Sequence, residues 1–277
     1  MQNLTTAAQV RRELDSRKGT VGFVPTMGAL HAGHISLVER CRRECDTVVV
    51  SVFVNPTQFN DPDDLLKYPR TPEADCAMLE AAGTDLVFMP SVEEIYPQPD
   101  TRQFGFGALE RVMEGEHRPG HFNGVAQVVS RLFDIVKPDR AYFGEKDFQQ
   151  LAIIREMVRQ LELPVEIIGC PIRREGDGLA MSSRNVRLDP AQRAAAPLIY
   201  KYLRAAAMQK DVMPPGALAR WTAEQIDTDP ALKTEYVAIA DAATLQPALS
   251  WDEPGAKRIF AAIWAGDVRL IDNIEIG

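Results

Sequence analysis

An α/β fold, a doubly wound parallel sheet followed by a smaller α+β domain, is predicted by three features of the 277-residue sequence. β-branched runs alternate with stretches whose apolar residues recur at helical spacing. Polar, glycine-bearing turns follow the ends of the predicted strands. The composition turns alanine-rich after Arg173.

The elements follow in order. Residues 21–24, apolar up to Pro25, suit an interior strand, and Ile35, Leu37, Val38, Cys41 and Cys45 mark one face of the helix behind it. Residues 47–54 form a nearly continuous β-branched run, as expected of a strand covered on both faces. A helix over 72–82 and a strand over 85–89 repeat the unit. Helices over 125–136 and 148–161 and strands over 140–143 and 165–169 complete the first domain, 1–172. In the second, 173–277, residues 189–208 read as helical. Met213-Pro214-Pro215-Gly216 interrupts the pattern, and 235–240 and 258–264 read as strands.

Composition narrows the function. Lys and Arg number 31 against 39 Asp and Glu, a formal charge of −8, so no global basic field invites nucleic acid or an anionic membrane. Anionic ligands must be held by local groups. The first residues lack a basic segment followed by an apolar one, and no apolar run reaches spanning length, so a cytoplasmic location is expected. Cys41, Cys45, Cys76 and Cys170 form no Cys-x-x-Cys pair and read as small core residues.

Chemistry is sought at the strand ends. After the first strand comes Met27-Gly28-Ala29-Leu30-His31-Ala32-Gly33-His34, two of the four histidines in one loop. If a helix starts near His31, its unpaired N–H groups and both rings suit phosphate oxygens. A zinc site lacks a third ligand. Asn55-Pro56-Thr57-Gln58 follows the second strand, where neutral amides can orient a small polar substrate, although Asn55 also suits a turn cap. Gly144-Glu145-Lys146-Asp147 precedes a helix carrying Gln150. Lys146 suits phosphate, and the simpler alternative is a surface lysine paired with Glu145 or Asp147. Met181-Ser182-Ser183-Arg184 sets two hydroxyls beside a guanidinium, a phosphate clasp or an N-cap pair. Arg118 lies in a loop and suits a carboxylate or phosphate. There is no Gly-x-x-x-x-Gly-Lys-Ser/Thr loop, no complete dinucleotide fingerprint and no Gly-x-Ser-x-Gly elbow.

His31-Ala32-Gly33-His34 resembles the His-x-Gly-His element of the nucleotidyltransferase superfamily, and Met181-Ser182-Ser183-Arg184 stands in the place of its second element. More closely, residues 25–34, 53–59, 68–72, 118–122, 143–150 and 177–185, in this order, resemble the pantothenate synthetase family, as does 266–273 near the C-terminus. The resemblance implies a Rossmann-like first domain, a C-terminal lid domain and a homodimer. It implies a ligase that uses ATP to join pantoate to β-alanine through a pantoyl adenylate, releasing pyrophosphate and AMP. Met27 to His34, Gly144 to Asp147, Arg173 through its backbone, and Met181 to Arg184 would hold ATP. His34, His31, Lys146, Ser182 and Ser183 would act on the phosphates. Gln58 and Gln150, with Asn55, Met27 and Arg118, would hold substrate. Mg2+ is implied by the ATP chemistry, with no protein ligand assigned.

Two other readings compete. A nucleotidyltransferase acting on a phosphate acceptor calls for a basic acceptor pocket rather than Gln58 and Gln150. A regulatory nucleotide-binding module would bind ATP without releasing pyrophosphate. A tRNA synthetase is disfavoured by a short, acidic chain with no RNA-binding appendage.

Overall fold

A computed structural model describes residues 1–60 and 62–276. In chain order it contains β1 (Gln2–Leu4), α1 (Ala7–Asp15), β2 (Val21–Thr26), α2 (Ala32–Glu44), β3 (Thr47–Val52), α3 (Pro62–Lys67), α4 (Pro72–Ala81), β4 (Leu86–Phe88) and α5 (Val92–Ile95). These are followed by α6 (Glu114–His117), α7 (His121–Val136), β5 (Arg140–Gly144), α8 (Phe148–Gln160) and β6 (Glu166–Cys170). The C-terminal part holds α9 (Pro190–Ala195), α10 (Leu198–Ala207), α11 (Pro215–Ile226), β7 (Lys233–Asp241), β8 (Lys257–Ala265) and β9 (Val268–Glu275). The chain divides into two compact units. The first comprises 1–106, 118–145 and 150–171; the second comprises 107–117, 146–149 and 172–277. A single cut at 172/173 in the sequence does not express the two short excursions, 107–117 and 146–149.

The first unit is built on a six-stranded parallel sheet in the order β1-β4-β3-β2-β5-β6. Helices cover both faces because neighbouring strand residues point opposite ways. Val24, Val48 and Val50 pack with Leu37, Val38 and Cys41 of α2 and Leu79 of α4. Phe23, on the other face, meets Phe133 of α7 edge to face at 6.2 Å. Strand order reverses beside β2: the chain runs outward through β3 and β4 on one side and through β5 and β6 on the other. A crevice beyond the carboxyl ends of β2 and β5 is where such sheets bind ligands.

The second unit is an antiparallel sheet, β7-β8-β9, whose apolar face packs on α10 and α11 through Ile259, Ala261, Ile263, Leu203, Leu218 and Ile226, among others.

Some elements depart from the sequence expectation, each for a local reason. β1 is three residues long, too short to show a period. α1 buries only Val10 and is fixed instead by a capping box between Thr6 and Gln9. α7 begins four residues before 125, because Gly120 takes φ +80° and releases His121 and Phe122 into a buried first turn. The helix expected over 189–208 is two helices, broken at Ala196-Pro197, where proline lacks the N–H needed to continue the ladder. β9 is a further strand, outside the two expected in this unit; its charged and amide residues interrupt the apolar pattern.

Candidate active site

In the first unit the histidine loop leaves β2 through a turn that only glycine fits. Gly28 has φ +80°, and a Cβ there would lie 2.9 Å from Asp75 Oδ2 and 3.0 Å from Val52 Cγ1. Asp75, on α4 and 1% exposed, fastens the turn: its carboxylate accepts the N–H groups of Ala29 (2.9 Å) and Leu30 (2.7 Å) and the Thr71 hydroxyl (3.1 Å). Ala29, with φ +49°, is held in the left-handed region by these bonds.

His31 is the N-cap of α2. Its Nδ1 accepts the Gly33 N–H at 3.1 Å, while His34 Nδ1 accepts the His31 N–H at 3.4 Å, so the two rings form a reciprocal capping box. Their centroids are 4.1 Å apart. A ring whose Nδ1 accepts carries its neutral-state hydrogen on Nε2, so both histidines are N–H donors at that nitrogen. The helix start adds partial positive charge.

Gln58 lies on the short 3-10 turn Pro56–Gln58 behind β3. Its Oε1 accepts from Asn55 Nδ2 at 3.2 Å, and its Nε2 points at Met27 Sδ at 3.2 Å. Asn55, 1% exposed, also donates to Gly124 O and accepts from Thr57 and the Tyr96 hydroxyl. Its amide is consumed in holding the turn. His121 Nδ1 bonds Gln58 O at 2.8 Å, which makes Nδ1 the protonated nitrogen, and Arg118 Nη1 lies 3.2 Å from its Nε2. Gly124 of α7 sits so close that a Cβ would be 2.5 Å from Thr57 O and 2.9 Å from Gln58 Cα. Gly144 ends β5, Glu145 follows it, and Gln150 stands half-buried in the first turn of α8.

In the second unit Lys146, Ala180, Ser182, Asn185 and Asp272 help to line one small cavity. The Lys146 side chain is largely buried and its ammonium forms a long ion pair with Asp147 Oδ1 at 3.8 Å, beyond hydrogen-bond length, so the pairing alternative holds while the exposed position does not. Ser182 caps the 3-10 turn Ser183–Arg187 by accepting the Arg184 N–H at 3.3 Å. The capping alternative thus holds for Ser182 within its own segment, while Asp189 caps α9 by itself. Asn185 Nδ2 donates to Ala180 O. Its buried Oδ1 has no partner among the described residues, an acceptor left over at the cavity. Arg173 is exposed, and its carbonyl takes the Met181 N–H at 3.0 Å.

Sequence reasoning missed Asp75 and the role of His121. Asp75 carries a faint signal, an acid in the first turn after Thr71-Pro72, which equally suits a helix dipole. His121 stands within a quoted motif but without an assigned contact.

The chain is similar to known proteins over nearly its whole length. The pantoate-β-alanine ligase family model matches residues 1–275. The pantothenate synthetase of Porphyromonas gingivalis is 57% identical over 260 residues, covering 94% of this chain and 92% of its own; that of Bacteroides fragilis is 53% identical over 278 residues, 99% of each. The crystal structure of pantothenate synthetase from Thermus thermophilus superposes with a TM-score of 0.93 at 48% identity, covering 100% of this chain and 99% of that one. The crystal structure of pantoate-β-alanine ligase from Francisella tularensis, complexed with beta-gamma ATP and β-alanine, gives 0.85 at 35% identity, covering 99% and 97%.

Proposed function

The chain belongs to the pantoate-β-alanine ligase family, and from that premise we propose that its ligase reaction runs in two steps through a pantoyl adenylate. A pantoate carboxylate oxygen attacks the α-phosphorus of ATP, and the bond to the β,γ-pyrophosphate breaks. The β-alanine amine then attacks the pantoyl carbonyl carbon, the bond to AMP breaks, and the amine sheds a proton as the amide forms. The first step brings two anions together, so catalysis needs charge neutralisation and alignment more than proton transfer.

The observation that carries this reading is the reciprocal histidine cap, which places two Nε2–H donors at a helix start. His34 is assigned to the α-phosphate with Lys146, Ser182 and Ser183, and His31 and Arg184 to the outer phosphates. Met27 to His34, Gly144 to Asp147, the Arg173 backbone and Met181 to Arg184 make up the ATP set. Gln58 and Gln150 are assigned to pantoate, with Gln58 also beside the β-alanine path. Being neutral, they leave the carboxylate nucleophilic, where a close lysine pair would quench it. Asn55 and Met27 support this role by fixing the Gln58 amide, and Arg118 by bracing His121 under the Gln58 carbonyl. Mg2+ is assigned to arrive with the ATP phosphates and water, with no protein ligand. No helix among the described residues is long and apolar enough to cross a membrane. A cytoplasmic homodimer completes the proposal.

The test mixes purified protein with Mg-ATP and pantoate, then adds β-alanine. Pyrophosphate limited to about one enzyme equivalent before β-alanine is expected, with AMP and pantothenate accumulating only afterwards. Pyrophosphate release independent of pantoate would refute the assignment. His34→Ala is expected to slow the first step about a hundredfold to a thousandfold, read by quenched-flow pyrophosphate release. An undiminished rate would remove His34 from the chemistry.

A further inference from the structure

We propose that Asn273 and Arg174 are positioning residues for Lys146, Asn273 fixing its backbone and Arg174 occupying Asp272 so that the ammonium stays available to phosphate. The inference rests on the role given to Lys146 above, and all its groups lie in the second unit.

Asn273, on β9 and 2% exposed, is locked at both ends. Its Nδ2 donates to Lys146 O at 2.9 Å, and its Oδ1 accepts from Arg258 Nη1 at 2.6 Å. A flipped amide would set its oxygen against a carbonyl and its donors against a guanidinium, so only one orientation is tolerated. Arg258 in turn lies 4.2 Å over the Phe148 ring, two residues beyond Lys146. The backbone that carries Lys146 is thus held by β8 and β9.

Asp272, 5% exposed, lines the same cavity as Lys146. Unengaged, a buried carboxylate there would draw the lysine ammonium to itself. Arg174 prevents this: Nη1 and Nη2 bind the two carboxylate oxygens at 2.6 and 2.9 Å, a bidentate geometry that lysine cannot reproduce. Burial pushes the Asp272 carboxyl up, and the Arg174 bonds and charge, with the Lys146 charge, oppose that push. Arg174 is itself held in place by a ring contact of 3.6 Å with Tyr200, a bond to Gly178 O and a β-bridge to Ala180. That bridge closes the hairpin leading into Met181–Arg184, so one ion pair anchors the serine segment while leaving Lys146 out of the Asp272 pair.

The experiment compares wild type, Asn273→Asp, Arg174→Gln and the double variant Arg174→Gln/Asp272→Asn. It measures pantoate-dependent pyrophosphate release, thermal unfolding and amide hydrogen exchange over 146–149. Asn273→Asp and Arg174→Gln are expected to lower kcat roughly tenfold to a hundredfold with the pantoate KM within about twofold. Exchange over 146–149 should rise in Asn273→Asp. The double variant should be faster than Arg174→Gln alone, because removing the stranded carboxylate releases Lys146. A purely structural role predicts the reverse, a double variant slower than the single one, and that result overturns the proposal, as do unchanged rates in both single variants. If the wild type releases no pantoate-dependent pyrophosphate, the function falls; the hold on Lys146 is then judged by exchange alone, and unaltered exchange in Asn273→Asp overturns it.

Discussion

Asp75 shows how far the proposed chemistry would depend on residues that touch no reacting atom. One carboxylate takes two consecutive N–H groups of the loop that carries His31 and His34, and Gly28 is excluded from any larger side chain by that same carboxylate. Asp75→Ala leaves two part-buried donors without their acceptor, a loss of up to about 1–3 kcal/mol each before relaxation. The variant is expected to unfold at a lower urea midpoint and to release pyrophosphate at least about tenfold more slowly, since the loop can no longer hold Ala29 in the left-handed region. Native stability combined with a native rate would show that the loop needs no such anchor. The histidines, amides and basic groups were legible in the sequence because their types and spacing advertise phosphate and carboxylate chemistry. Asp75 was not, because an acid in the first turn of a helix is ordinary, and nothing local says that it faces a loop 45 residues earlier.

At the scale of elements, α7 and the turn at Pro56–Gln58 are fitted to each other without room for a methyl group. Gly124→Ala must push Thr57 and Gln58 away from the helix. It is expected to raise the pantoate KM severalfold while leaving the ATP KM nearly unchanged. Equal changes in both would show that Gln58 does not discriminate between the two ligands. Glycine inside a helix reads in sequence as a weak point; the close approach that requires it is a tertiary fact. The central strands were legible because β-branched runs covered on both faces leave a strong signal, and α2 because its apolar residues recur on one face. The second unit was read less well, since alanine-rich sequence continues through Ala196-Pro197 where the helix does not.

At the scale of the whole molecule, acidic groups set the response to pH. Asp100 accepts from Arg102 and Arg131 and ties the segment around it to α7; the Arg102 bond above all, against the cost of burial, holds its carboxyl far below the usual range. The hydrogen bond from Arg40, joined by one from the Tyr142 hydroxyl, holds Glu44 low against the cost of burial. For Glu235, burial pushes upward, but the bonds from Arg269 and Trp264 outweigh it. A carboxyl with a depressed folded-state pKa stabilises above its unfolded value, about 3.9 for Asp, and that contribution is lost as pH falls below it. Asp272, raised by burial, runs the other way. Asp100→Asn should therefore lower the urea midpoint at pH 7, by about 1–3 kcal/mol of stability, and the gap to wild type should narrow at about pH 3. A gap of constant size would show that the ion pairs carry no net stability. The mutual cap of His31 and His34 has a consequence for substitution. Each ring is at once a fastening of the first turn of α2 and, in the reaction proposed above, a donor to phosphate through its other nitrogen, so a replacement at either position would be judged twice, once by the helix and once by the ligand. Asparagine can retain the fastening, arginine can supply a donor, and neither reproduces both from one rigid ring. Tolerance at these two positions is accordingly narrower than the chemistry of phosphate binding alone would demand.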